Sequence, residues 1–154
     1  MIETKFSKIL VPIDGSTYSK HAADYGINIA KKFNSELTIL YVVYSPLGYE
    51  YSNLIGLATP SQIDLVIENA RKEAQKWFDE ILKPVESDDR LKIKTEVVTS
   101  SISVLATILE YSEKEKTDLI VLGTKGRTGL KKLLLGSTAE GVVTYAHCPV
   151  MVVK

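Results

Sequence analysis

The chain has 154 residues, and its 19 Lys and Arg residues balance 19 Asp and Glu residues, so its formal net charge is zero. This balance excludes the chain-wide basic field typical of nucleic-acid-binding domains, and we expect no nucleic acid as a partner. No apolar run approaches the ~20 residues that a bilayer span requires, so no membrane is expected either. A hydrophobic content of 45% indicates one globular domain over residues 1–154. The single cysteine, Cys148, fits a reducing cytoplasm.

The first part of the chain alternates apolar strands with a helix. Lys8–Ile13 is rich in Ile and Val and ends at an Asp-Gly-Ser sequence, which is typical of a buried strand. Residues 16–33 are predicted to form a helix with apolar residues three or four positions apart on one face. These are Tyr18, Ala22, Tyr25, Ile29 and Phe33. Glu36–Tyr44 predicts a second buried strand, so a parallel βαβ unit is expected.

Residues 45–59 are the least regular part of the chain, combining a proline and two glycines with aromatic and apolar side chains. Two interpretations stay open for this segment: a lid or partner surface, or a simple connection between strand and helix. A helix is predicted to begin at Pro60, because a proline at the first helical position loses no hydrogen bond. Its apolar residues recur at spacings of four and three, as expected for packing on a core. They are Ile63, Ile67, Ala70, Ala74, Trp77 and Ile81.

The rest of the chain continues the alternation and ends on a strand. Residues 92–98 alternate polar with apolar side chains, which predicts a half-exposed strand at a sheet edge. Helices are predicted over residues 103–115 and 136–146, and strands over residues 119–122 and 150–153. The apolar faces of these two helices hold Val104, Leu105, Ile108 and Leu109 in the first and Ala139, Val142, Val143 and Ala146 in the second. The βαβαβαβαβ order predicts an α/β fold, an open five-stranded parallel sheet with helices on both faces.

Residues 123–138 join the fourth strand to the last helix and are rich in glycine and basic residues. They include Gly123, Gly126, Gly129, Lys125, Arg127, Lys131 and Lys132. Glycine lets the backbone approach a ligand closely, and N–H groups at a helix start bind anions, so a phosphate is the expected ligand. The alternative is a solvated loop in which Ser137 or Thr138 only caps the helix. Neither a Walker A loop nor a dinucleotide fingerprint is present.

The spacing Gly123-x2-Gly126-x9-Gly136-Ser137 resembles the ATP-binding signature of the universal stress protein family, G-2x-G-9x-G-(S/T). Residues 9–16 and 148–153 are also similar to the two ends of that family's domain. The resemblance implies a Rossmann-like fold of the adenine nucleotide alpha hydrolase type, and a cytoplasmic protein that binds ATP in the stress response. Mg²⁺ or Mn²⁺ would come with the phosphates. The resemblance also implies a homodimer that forms through the C-terminal strand, residues 149–153.

The ligand is expected at the carboxyl edge of the sheet, between the first and fourth strands if these are neighbours. The resemblance places the base and the adenosine near Pro12, Asp14 and Val42, and the ribose and phosphates near the glycine-rich segment. The expected ATP-binding residues are Pro12, Ile13, Asp14, Val42, Gly123, Thr124, Gly126, Arg127, Gly136, Ser137 and Thr138. Asp14 has a second interpretation, as the cap of the first helix.

No set of residues predicts a catalytic or metal centre. His147 and Cys148 are adjacent, so their side chains should diverge, and His21 has no second ligand at metal-binding spacing. We therefore interpret the protein as a nucleotide-dependent binding switch with an unknown downstream partner. The alternatives are a slow ATP-hydrolysing or nucleotidyl-transferring enzyme on the same fold, or a dimeric scaffold without nucleotide.

Overall fold

A computed structural model of the chain describes residues 5–45, 60–125 and 135–154. Strands and α-helices alternate along these residues. The elements are β1 (Lys8–Ile13), α1 (Thr17–Phe33), β2 (Glu36–Tyr44), α2 (Pro60–Leu82), β3 (Lys92–Ser100), α3 (Val104–Lys114), β4 (Leu119–Gly123), α4 (Ser137–Tyr145) and β5 (Val150–Val153). A short 3₁₀ turn, Lys83–Val85, follows α2. None of the described helices is both long and apolar enough to cross a bilayer.

The five strands form one parallel sheet in the order β3-β2-β1-β4-β5. β1 lies in the centre, where Ile13 is in register with Tyr41 of β2 and Ile9 with Leu119 of β4. The chain builds the sheet outward in one direction through β2 and β3 and in the other through β4 and β5. This reversal creates a topological switch point between β1 and β4, where open α/β sheets bind their ligands. The predicted edge position of β3 is confirmed.

Helices cover both faces of the sheet, as predicted. Side chains alternate along each strand, so Ile9, Val11 and Ile13 of β1 join a core with α1 and α2 on one face. Leu10 joins a second core on the opposite face, where Ile108 of α3 packs. The apolar stripe of α2 is confirmed in its second half. Ala74, Trp77 and Ile81 are all buried in the first core.

The buried face of α1 differs from the prediction, which was wrong about its two tyrosines. Tyr18 is 37% exposed and Tyr25 is 48% exposed. The residues of α1 that are buried are Ser19, Ala22, Ala23, Gly26, Ile27 and Ala30. Their small size brings the helix close to the sheet, since a Cβ at Gly26 would lie 2.6 Å from Cγ2 of Val11. Tyrosine rings can remain at the surface because one end of each is polar.

The face of α4 shows the same effect. Val143, predicted to be part of the apolar face, is 49% exposed. Ala139 and Val142, also predicted for this face, are buried, and so is Gly141, which was not predicted. A Cβ at Gly141 would lie 2.3 Å from Cδ2 of Leu105, so a side chain here would push α3 away from α4. The close approach of these two helices therefore depends on a glycine, which a search for large apolar residues overlooks.

Candidate functional site

A cavity of about 240 Å³ opens at the carboxyl ends of β1 and β4, at the switch point of the sheet. Its walls come from the β1–α1 turn, the end of β4 and the first turns of α3 and α4. The lining residues are Pro12, Ile13, Asp14, Ser19, Val104, Ile108, Leu122, Gly123, Thr124, Lys125, Gly136, Ser137, Thr138 and Ala139. Apolar side chains meet hydroxyl groups, one carboxylate and one lysine there. Such a mixture is typical of a small-molecule site.

The β1–α1 turn fixes Asp14 at the edge of this cavity. Oδ1 of Asp14 accepts a hydrogen bond from the backbone N–H of Ser16 at 2.9 Å. Oγ of Ser19 accepts one from the backbone N–H of Asp14 at 3.3 Å. The cap of α1 is Ser16, whose side chain accepts from the N–H of Ser19 at 3.2 Å. The interpretation of Asp14 as the helix cap is therefore wrong, because its carboxylate closes the preceding turn instead.

The end of β4 is joined both to β5 and to the start of α4. The N–H of Thr124 donates to the carbonyl oxygen of Val153 at 2.9 Å, and its carbonyl oxygen accepts from the N–H of Gly136 at 2.7 Å. Gly123 packs against α1, since a Cβ at this position would lie 2.8 Å from the backbone carbon of Tyr18. The absence of a side chain at Gly123 is thus explained by helix packing, whereas the sequence had suggested close approach to a ligand.

The first turn of α4 lies open to the cavity. Its N-cap is Gly136, and a glycine supplies no side-chain acceptor for the N–H groups that follow. Ser137 and Thr138 are the first residues within the helix, so the alternative in which one of them serves as its cap is wrong. Among the described residues no side chain caps the first N–H groups of α4, and these groups together with the positive end of the helix dipole favour an anion at this position.

The structure brings most of the predicted site residues together but separates one of them. Val42 is buried, 6% exposed, in the second core and does not line the cavity, whereas Ile108 of the same core does. Gly126 and Arg127 lie outside the described residues, as does the segment 46–59. The prediction omitted six lining residues, namely Ser19, Val104, Ile108, Leu122, Lys125 and Ala139. Leu122 and Lys125 lie at the carboxyl end of β4, where a ligand was expected, whereas the other four lie on helices that only the tertiary structure brings to the cavity.

The side chains with reactive groups elsewhere are engaged in other contacts. Nε2 of His147 lies 3.0 Å from the carbonyl oxygen of Thr117. Burial raises the pKa of the Cys148 thiol, and the nearby Asp118 carboxylate raises it further, which makes this thiol a poor nucleophile. Nδ1 of His21 lies 3.3 Å from the carbonyl oxygen of Lys154. In the part of the chain that the structure describes, no group of three His, Cys, Asp or Glu side chains could hold a metal ion.

Solved structures with the same fold include two that contain adenine nucleotides. A universal stress protein in complex with cAMP is 21% identical to this chain, with a TM-score of 0.59, and covers 97% of this chain and 98% of the other. A universal stress protein from Archaeoglobus fulgidus in complex with dAMP is 18% identical, with a TM-score of 0.65, and the match covers 98% and 100%. At these identities the comparison shows that the fold is shared.

Closer relatives connect the whole chain to one family. The universal stress protein UspA from Lactobacillus plantarum is 29% identical, with a TM-score of 0.76, over 99% of this chain and 100% of the other. Universal stress protein MJ0531 of Methanocaldococcus jannaschii is 41% identical over 152 residues, which cover 99% of this chain and 84% of the relative. The model of the universal stress protein family matches residues 5–154. The chain therefore belongs to the universal stress protein family.

Proposed function

We propose that this chain is a cytoplasmic ATP-binding protein of the stress response, in which bound nucleotide changes the surface offered to a partner protein. One observation carries the proposal: the cavity at the switch point combines the Asp14 turn with the open first turn of α4. The adenine nucleotides in two proteins of the same fold support the choice of ligand class. The single cysteine supports the reducing compartment.

The two ends of the cavity suit the two ends of ATP. The adenosine would lie against Pro12, Ile13 and Asp14, with the apolar side chains of Ile108 and Leu122 close to it. The phosphates would lie against the first turn of α4, whose N–H groups attract negative charge. On the sequence signature, we assign Gly126 and Arg127 to the phosphate end and Val42 to the layer behind the base. Mg²⁺ or Mn²⁺ would bind mainly through phosphate oxygens and water.

The phosphate position can be tested with Thr138→Glu. A carboxylate in the first turn favours the helix dipole, so the free energy of unfolding should stay the same or rise slightly. The same carboxylate repels a triphosphate, and we expect the affinity for ATP to fall about tenfold or more by this charge effect. Calorimetric titration with ATP, together with urea unfolding, measures both quantities.

Thr144→Glu is the matched control, because Thr144 is an exposed threonine at the other end of α4. It adds the same charge to the same helix but lies away from the cavity-lining residues, so ATP affinity should not change. An unchanged affinity in Thr138→Glu would remove the start of α4 from the site. Failure of the parent chain to bind ATP would refute the proposed function itself.

We expect ATP turnover to be slow or undetectable, well below the enzyme median of about 10 s⁻¹. Among the described lining residues Asp14 is the only carboxylate, and its Oδ1 accepts the Ser16 N–H at the proposed adenosine end. It is therefore badly placed to activate water at the γ-phosphate. Single-turnover assays with Mg²⁺ or Mn²⁺ measure the rate. A fast rate that Asp14→Asn abolishes would make the protein an enzyme and contradict the switch.

The position of β5 supports a proposed homodimer. β5 is an edge strand of the sheet, and Met151 on it is 37% exposed. Edge strands present unpaired backbone groups that a second copy can bond, and two identical copies pair most simply around a twofold axis. We infer that two chains associate through residues 149–153.

A further inference from the structure

We propose that Trp77 is a positioning residue for the nucleotide site, although it belongs to α2 and does not line the cavity. Its indole packs against the turn at Gly15 and limits the movement of this turn. The turn in turn holds the Asp14 carboxylate in the orientation that contacts the adenosine. This inference deepens the proposed function and rests on it.

Trp77 packs against the turn at the position where Gly15 has no side chain. Gly15 has a φ of +82°, a conformation that favours glycine. A Cβ at Gly15 would lie 2.4 Å from both Cε2 and Cζ2 of Trp77 and 2.9 Å from Cη2. These atoms belong to the six-membered ring of the indole. That ring therefore occupies the space where any other residue at position 15 would carry a side chain, and it limits how far the turn can move toward α2.

Trp77 is itself held in place, so it can act as a fixed support. It is 8% exposed within the first core. Its ring meets that of Tyr41 on β2 edge to face, with centroids 5.0 Å apart and planes at 83°. Lys20 of α1 forms an ion pair with Glu80 of α2, one turn beyond Trp77, and so connects the two helices beside the turn. Burial in the first core and the ring contact with Tyr41 therefore hold the indole against Gly15.

The turn that Trp77 supports determines the orientation of Asp14. Gly15 lies between Asp14 and Ser16, and its left-handed conformation lets the Ser16 N–H reach Oδ1 of Asp14. Removing the six-membered ring would leave a gap beneath Gly15, and the turn could then relax into it. The first turn of α4 has a separate anchor, the bond from Gly136 to Thr124. Loss of the indole should therefore weaken the adenosine end and leave the phosphate end unchanged.

The test compares two ligands on one variant, Trp77→Phe, which keeps an aromatic ring against Tyr41 but shortens it toward Gly15. ATP and inorganic tripolyphosphate are titrated calorimetrically into the parent and the variant. We expect ATP affinity to fall about tenfold and tripolyphosphate affinity to change less than about twofold, a difference that calorimetry resolves. A merely structural role for Trp77 would not produce this selectivity.

Ile81→Val is the matched control, because Ile81 is buried one turn further along the same face of α2. It weakens the same core without touching the Gly15 contact, so the ratio of the two affinities should match that of the parent. A variant Trp77→Phe that binds both ligands as the parent does, or loses both equally, would overturn the inference. A parent that binds no ATP would instead refute the proposed function, and the inference would fall with it.

Fluorescence gives a second measurement that needs no variant. Trp77 is the single tryptophan of the chain, so its emission reports on the surroundings of this one indole, which include Gly15. ATP should change this emission, and tripolyphosphate should leave it unchanged. Calorimetric binding of ATP without any change in emission would contradict the coupling between Trp77 and the site, even if Trp77→Phe failed to fold.

Discussion

Gly15→Val is expected to lower the free energy of unfolding by ~3 kcal/mol or more, through backbone strain and overpacking together. The φ of +82° strains any residue with a branched Cβ, and the new Cβ would lie 2.4 Å from the Trp77 ring. Both the ring and the turn are fixed by neighbouring elements, so neither can move away easily. Urea unfolding followed by circular dichroism measures the loss.

Gly15→Asn separates the two causes. Asparagine tolerates the left-handed conformation better than valine does, so it reduces the backbone strain but keeps a Cβ against the indole. Comparison of Gly15→Asn in the parent and in Trp77→Phe then gives the part of the loss due to the ring. Stability of Gly15→Val within about 0.5 kcal/mol of the parent, the range of ordinary surface substitutions, would contradict the packing described here.

Val152→Pro is expected to convert the proposed dimer into a monomer. The carbonyl oxygens of Pro149 and Val153 accept hydrogen bonds from the N–H groups of Ile120 in β4 and of Thr124 just after it. Because successive peptide groups of a strand point in opposite directions, the N–H of Val152 faces the open edge. Proline at this position removes that N–H but leaves the bonds to β4, as it does on other edge strands. Sedimentation equilibrium should show the mass of the particle halved.

Val152→Thr is the control, since threonine keeps both the N–H and the branched shape at Cβ. It should sediment as the parent does. Met151→Lys provides a second test on the exposed side chain of the same strand, because two like charges would meet across the twofold axis. Dimers that persist in both Val152→Pro and Met151→Lys, with native circular dichroism, would place the interface elsewhere.

The strands were predictable because each leaves a local pattern. β1 and β2 are short apolar runs that both faces of the sheet bury, and β3 alternates because it lies at an edge. The cavity followed from these strands together with a general rule about parallel sheets, which puts ligands at the switch point. The resemblance of the glycine spacing to a family signature then favoured ATP over other ligands. The fold and the position of the site therefore required few assumptions beyond periodicity and topology.

The predicted helix faces were wrong where the distance between packed elements, and not the periodicity of apolar residues, determines which residues are buried. Gly26 and Gly141 let α1 and α4 approach their neighbours, and no rule based on large apolar residues identifies such contacts. Val42 is buried in the same core as Ile108 and Leu122, which line the cavity while Val42 does not, and the sequence does not show which of the three reaches the cavity wall. Trp77 and Gly15 are 62 positions apart in the sequence, so no local pattern indicates that they are in contact. Detection of this contact requires coordinates.

Thr124 connects the edge strand β5 to the start of α4 through two backbone hydrogen bonds. Its N–H is bonded to Val153 on the edge strand, and its carbonyl oxygen is bonded to Gly136 at the start of α4. A shift of β5 against β4 would therefore move the peptide groups on both sides of Thr124. Thermodynamic reciprocity requires that, if association through β5 alters nucleotide affinity by some factor, nucleotide alters the association constant by the same factor. Measured ATP affinity would then depend on protein concentration, with the two peptide groups of Thr124 connecting the dimer strand to the nucleotide site.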